Sequence, residues 1–151
     1  LLVMKQTDGF KLIGFPKDAY DDVRKGSALY IDAHNTNTVV PGYFIEAQYK
    51  TSVGYLLVTS FDCPFEESNV FILLDLNYRI LAKKYLQMWY ETFLLKAHWS
   101  VSDTKLMLQY QGNLSYSLTI KPKILGRGYK LVLQKEAASL IYDSSSAPSV
   151  H

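Results

Sequence analysis

"TKLMLQYQGNLSYSLTI", residues 104–120, sets the architecture that the rest of the chain has to fit. Apolar and polar side chains alternate through both halves, the period of a strand with one buried face. Leu106, Leu108 and Tyr110 share a face of the first half, and Leu114, Tyr116, Leu118 and Ile120 share a face of the second. Both sets reach one core only if Tyr110 pairs with Leu114, because a slip of one residue turns every side chain over. The loop is then residues 111–113, with Asn113 in the left-handed position. A two-residue turn at Gly112-Asn113 would set Tyr110 opposite Ser115 and break the apolar face.

The same alternation spreads outward. "KILGRGYKLVLQKE" (123–136) adds a strand entered through two glycines, followed by "AASLIY" (137–142), a brief helix at most. Upstream, "NVFILLD" (69–75), "RILAKKYL" (79–86) and "TFLLKAHW" (92–99) continue a meander, with 86–91 read as a connection. "SVGYLLVTSF" (52–61) and "VFILLDL" (70–76) are apolar on both faces, so both should be covered on two sides; Gly54 is expected at a bulge. In "YFIEAQY" (43–49), Tyr43, Ile45, Ala47 and Tyr49 are expected to share one face. "ALYIDA" (28–33) reads as a strand, and "HNTNT" (34–38) as a loop whose Asn and Thr side chains bond locally.

One helix is expected, over 16–25. Pro16 suits its first position, Asp18, Asp21 and Asp22 lie towards its positive end, Arg24 and Lys25 towards its negative end, and Gly26 supplies a stop. The predicted fold is therefore mainly β, an antiparallel meander closing into a barrel or a two-sheet sandwich, with this short N-terminal helix. Residues 1–9 are expected as a flexible N-terminus, 10–142 as a single β-rich domain and 143–151 as a disordered polar tail. Met4 is a candidate natural start.

Composition narrows the class. A chain of 151 residues suits one core, and 48% apolar with 20% charged residues is globular usage. The single cysteine excludes an internal disulfide and points to a reducing, cytoplasmic setting. No run of 18 apolar residues can span a membrane as a helix, and Leu1-Leu2-Val3 is too short for a signal-peptide core. The net charge of +2 hides a split: residues 1–76 carry six Lys/Arg and ten Asp/Glu, and residues 77–151 carry ten and four. Twelve tyrosines are a high count, and tyrosine favours both half-buried strands and interfaces.

No catalytic pattern emerges. Cys63, in "FDCPFEESN" (61–69), has Asp62, Glu66 and Glu67 as neighbours; carboxylates hold a thiol protonated, so the stretch reads as a tight connection opened by Asp62 and Pro64. Asp32 and His34 could seed a metal site with His98 or Glu66, but the paired Cys/His spacing of a zinc site is missing, and no metal or cofactor is expected. "GRG" (126–128) precedes a strand, not a phosphate-binding helix. Glu46, Asp62, Glu66, Glu67 and Asp75 could form an acid/base pair only through a geometry that sequence does not fix.

The reading that remains is a non-catalytic binding protein that recognises another protein, of which an inhibitor or immunity-type protein neutralising a toxic enzyme is one concrete form. Asp62, Glu66, Glu67, Trp89 and Tyr90 are its expected contact residues, with the acids complementing a basic partner. The first alternative is a small-ligand-binding barrel or barrel enzyme, lined at one mouth by Asp32, His34, Tyr43, Tyr55 and His98. The second is a single-stranded nucleic-acid binder using "KPKILGRGYK" (121–130), in which Lys121, Lys123, Arg127 and Lys130 meet phosphates and Tyr129 stacks on a base. No membrane partner is expected, and "KLVLQ" (130–134) is an edge strand through which two copies could pair.

Overall fold

The computed structural model describes residues 2–15, 26–61, 66–89 and 94–137, with the backbone alone for 66–67 and 88–89. Among them are twelve strands: β1 (Lys5–Gln6), β2 (Phe10–Gly14), β3 (Gly26–Ile31), β4 (His34–Pro41), β5 (Phe44–Lys50), β6 (Tyr55–Ser60), β7 (Glu66–Leu74), β8 (Ile80–Trp89), β9 (Leu95–Ser102), β10 (Lys105–Tyr110), β11 (Leu114–Pro122) and β12 (Tyr129–Glu136). All pairings are antiparallel, and no described residue is helical.

The strands form a five-stranded sheet in the order β1-β5-β6-β7-β8, a four-stranded sheet β12-β11-β10-β9 and a three-stranded sheet β2-β3-β4. The five-stranded sheet is the middle layer. On one face, Leu56, Val58, Phe71 and Leu73 pack with Leu106, Leu108, Tyr110 and Leu118 of the four-stranded sheet. On the other, Leu57, Val70, Ile72 and Leu74 pack with Phe10, Leu29 and Val40 of the three-stranded sheet. Successive residues of β6 and β7 thus enter different cores, which is why both stretches are apolar throughout. The mainly β, antiparallel expectation holds. The barrel does not: the described residues form no closed barrel, and a third sheet adds a layer to the expected two. The helix expected over 16–25, the 143–151 tail and most of 137–142 lie outside the described residues.

The hairpin at 104–120 has the predicted register. Tyr110 pairs with Leu114, and Asn113 takes a φ of 60°. Elsewhere local chemistry overrides the sequence pattern. "HNTNT" is not a loop but the start of β4, an edge strand whose polar side chains satisfy themselves: Thr36 Oγ1 donates to the Leu29 carbonyl at 2.8 Å, and Asn35 Oδ1 accepts from the Asn37 N–H at 2.9 Å. The turn falls instead at Asp32-Ala33, with φ of 45° and 71°, the left-handed pair of a tight hairpin. In β5 the register shifts between Ile45 and Ala47, so Glu46 is extra, and the strand changes phase. Ile45 therefore packs towards the three-stranded sheet, while Ala47 and Tyr49 enter the opposite core. Gly54 marks no bulge; a Cβ there would stand 2.0 Å from the Leu74 carbonyl oxygen, so the turn admits only glycine.

The N-terminus expected to be flexible is tied down from Met4 onward. Met4 is buried, its N–H donates to Ser100 Oγ at 2.9 Å, and β1 pairs with β5. Polar side chains also stitch the layers. Gln48 of β5 grips the backbone of Phe10, accepting from its N–H at 2.9 Å and donating to its carbonyl at 3.3 Å. Thr38 of β4 donates to the Tyr78 carbonyl at 2.7 Å.

Candidate functional site

Strand direction divides the loops of the two larger sheets between two ends. The turns at 51–54, 75–79, 103–104 and 123–128 lie at one end, where Ser52 reaches Asp103 from the β5–β6 turn. The C-terminal ends of β6, β8 and β10 lie at the other, where Asn69 near the start of β7 meets Tyr110 at the end of β10.

This second end holds the acidic and aromatic residues singled out in the sequence. The β7–β8 ladder is longer than expected: β7 begins at Glu66, inside the stretch read as a connection, and β8 continues through 86–89 to Trp89. Nothing in "QMW" (87–89) stops a strand, and three added rungs follow. Glu66 thereby pairs with Trp89 and Glu67 with Met88, so the acidic and aromatic candidates meet at one edge of the middle sheet. Asp62, Cys63 and Tyr90 lie outside the described residues.

Neighbouring side chains build the surroundings. Glu46, the extra residue of β5, accepts a hydrogen bond from Ser60 Oγ at 2.6 Å. Ser60 pairs with Asn69, whose Oδ1 accepts from the Tyr110 hydroxyl at 2.6 Å and whose amide donates to the Thr59 carbonyl at 3.2 Å. Burial raises the Tyr110 pKa, and the Tyr116 and Glu46 charges add to the rise, so its hydroxyl remains a donor. Glu136, at the end of β12, accepts from Ser117 Oγ at 2.8 Å. Phe44 and Leu94 are exposed at this end, and Tyr43 packs edge-on against Phe61 at 5.7 Å. Asn69 and Phe44 were not expected as parts of this end, whereas Glu46 stood among the carboxylates whose grouping only geometry decides. The one signal in the sequence is Asn69, a polar residue opening the apolar run "VFILL".

The other candidates do not converge. Asp32 and His34 flank the β3–β4 turn and are exposed. Tyr55 is stacked on Tyr78 at 5.6 Å in the core beneath the three-stranded sheet. His98 is buried in the opposite core, its Nδ1 2.5 Å from the Tyr49 hydroxyl. Burial pushes the Tyr49 hydroxyl up to about 12. Among the described residues, no group of three His, Cys, Asp or Glu is placed to hold a metal ion. The basic hairpin lies at the end away from Glu66: Lys121 pairs with Lys130, and Lys123 and Arg127 are exposed in its loop. Tyr129 packs against the core between the two larger sheets. β12, which contains "KLVLQ", runs alongside β8.

No described helix is long and apolar enough to cross a membrane. No family model matches this chain, and no curated protein or solved structure matches it.

Proposed function

We propose that the chain is a non-catalytic module that binds another protein through the end of the middle sheet where Glu66 and Trp89 pair. That pairing is the observation that carries the reading, because it joins two features distant in the sequence, the acidic stretch at Glu66–Glu67 and the aromatic Trp89. Carboxylates suit long-range attraction to a basic partner, and tryptophan and tyrosine are the residue types that most often anchor protein contacts. Exposed Phe44 and Leu94 extend the apolar contact area, and Glu46 adds charge. A basic partner that such a surface would block is a toxic enzyme with a cationic active site, in a cytoplasmic inhibitor or immunity-type role.

The test is association kinetics with the partner that co-purifies from the native host. Changing Asp62, Glu66 and Glu67 to lysine should slow association at low salt by at least about tenfold while leaving the melting temperature unchanged. Unchanged kinetics at low salt would remove the acidic surface from the reading.

A further inference from the structure

We propose that the β11–β12 hairpin is a docking element for an anionic lipid surface, at the end of the molecule opposite the proposed protein contact. Its tip carries Ile124 and Leu125, which are 91% and 90% exposed. Two adjacent aliphatic side chains held almost fully in water, at the apex of a hairpin, have no packing role in the fold. The hairpin is nonetheless ordered: the Lys123 N–H donates to the Gly128 carbonyl at 3.0 Å, and Gly126 and Gly128 take positive φ of 96° and 119° that turn the chain around the tip.

Charge around the tip points to the partner. Lys121, Lys123, Arg127 and Lys130 flank the two aliphatics, and residues 121–130 contain no Asp or Glu. Lys121 and Lys130 stand directly opposite each other in the ladder, both exposed. Like charges placed across a strand pair repel, and an anion arriving between them removes the repulsion. A convex apolar tip ringed by cations matches a bilayer interface, where aliphatic groups enter the acyl boundary while lysine and arginine stay at the headgroups. Nucleic acid would use the same cations, but it offers no place for Ile124 and Leu125, and Tyr129, the stacking candidate, packs on the core instead. The β7–β8 turn lies at the same end and adds exposed Leu76, while its Arg79 is balanced in charge by Asp75 of the same turn. Surface docking by a hairpin needs no membrane-spanning helix.

The test is co-sedimentation of the full chain with vesicles of phosphatidylcholine alone and of phosphatidylcholine mixed with phosphatidylserine, at low and physiological salt. The chain is expected to sediment with the mixed vesicles only, and more weakly as salt rises. I124S/L125S keeps every cation and alters only exposed positions, so its fold is preserved; it should lower the partition by about tenfold or more. K121S/K130S should weaken it by a similar factor, since each cation near the surface contributes about fivefold. No binding to mixed vesicles at low salt would overturn the proposal. So would wild-type partition by I124S/L125S, because cations alone would then account for it. Binding of oligo(dT) in place of vesicles, lost in K121S/K130S, would overturn it in favour of a nucleic-acid strand.

Discussion

The Tyr49 hydroxyl of β5 lies 2.5 Å from Nδ1 of His98 on β9, a hydrogen bond that crosses the core between the two larger sheets. Tyr110 of β10 makes the reciprocal crossing, donating to Asn69 of β7 at 2.6 Å. Each sheet thus sends one buried tyrosine to a polar partner on the other. The two bonds fix how the layers sit on each other in a way that Leu and Val contacts alone do not, since hydrogen bonds are directional and apolar packing is not.

Burial of Tyr49 makes stability depend on alkaline pH. Tyrosine in the unfolded chain ionises near 10, whereas Tyr49 in the fold holds its proton up to about 12. Its contribution is complete below pH 10, and it is lost as pH rises through the folded value, because the unfolded state releases a proton that the native state retains. Tyr110, shifted the same way, steepens the loss. Y49F should cost about 1 kcal/mol at neutral pH and flatten the decline above pH 10. Urea unfolding of both proteins across that range reads it directly; parallel curves would show that Tyr49 does not sense its burial.

Gln48 should be worth more than its half-buried position suggests. Its amide gives β2 a backbone partner on the side away from β3, joining the three-stranded sheet to the middle one. Q48M keeps the length and removes both bonds. The expected loss is about 2 kcal/mol, with faster hydrogen exchange at the Phe10 amide. Unchanged protection of that amide would contradict the role assigned to the side chain.

Gly54 should tolerate no side chain. Its hypothetical Cβ meets the Leu74 carbonyl oxygen at 2.0 Å, backbone against a fully buried strand, so neither partner can yield by rotating a side chain. G54A should destabilise by about 3 kcal/mol in thermal or urea unfolding. A neutral substitution would mean that the β5–β6 turn lies farther from the end of β7.

Ser115 offers the opposite sign. It is buried, and its hydroxyl has no hydrogen-bond partner among the described residues. An unpaired hydroxyl loses its solvation without compensation, so S115A should leave stability unchanged or raise it by up to about 1 kcal/mol. A clear loss would reveal a partner for the hydroxyl.

What the sequence disclosed, and what it concealed, follows from the range of the signal. The Tyr110–Leu114 register was legible because a period of two fixes the phase of both strands around a short loop. The double-faced apolar runs of β6 and β7 rightly implied cover on both sides, yet nothing in them named a third sheet as the cover. That sheet leaves a weak trace in the sequence because its edge strand β4 opens with "HNTNT", whose local side-chain bonds look like those of a loop. The extra residue at Glu46 left no trace in composition, and so the phase change in β5 was invisible. Within the candidate site the residue types were legible, but the meeting of Glu66 with Trp89 depends on a long-range register. No local pattern in 86–89 carries that register, because it is set by where β7 begins.

Native mass spectrometry of the wild type and of D62K/E66K/E67K, both purified gently from the native host, tests the proposed role most directly. The account predicts a stoichiometric protein companion on the wild type and its loss from the variant, with both chains equally folded. A companion retained on both, or a wild type that carries only a small bound mass, would contradict it.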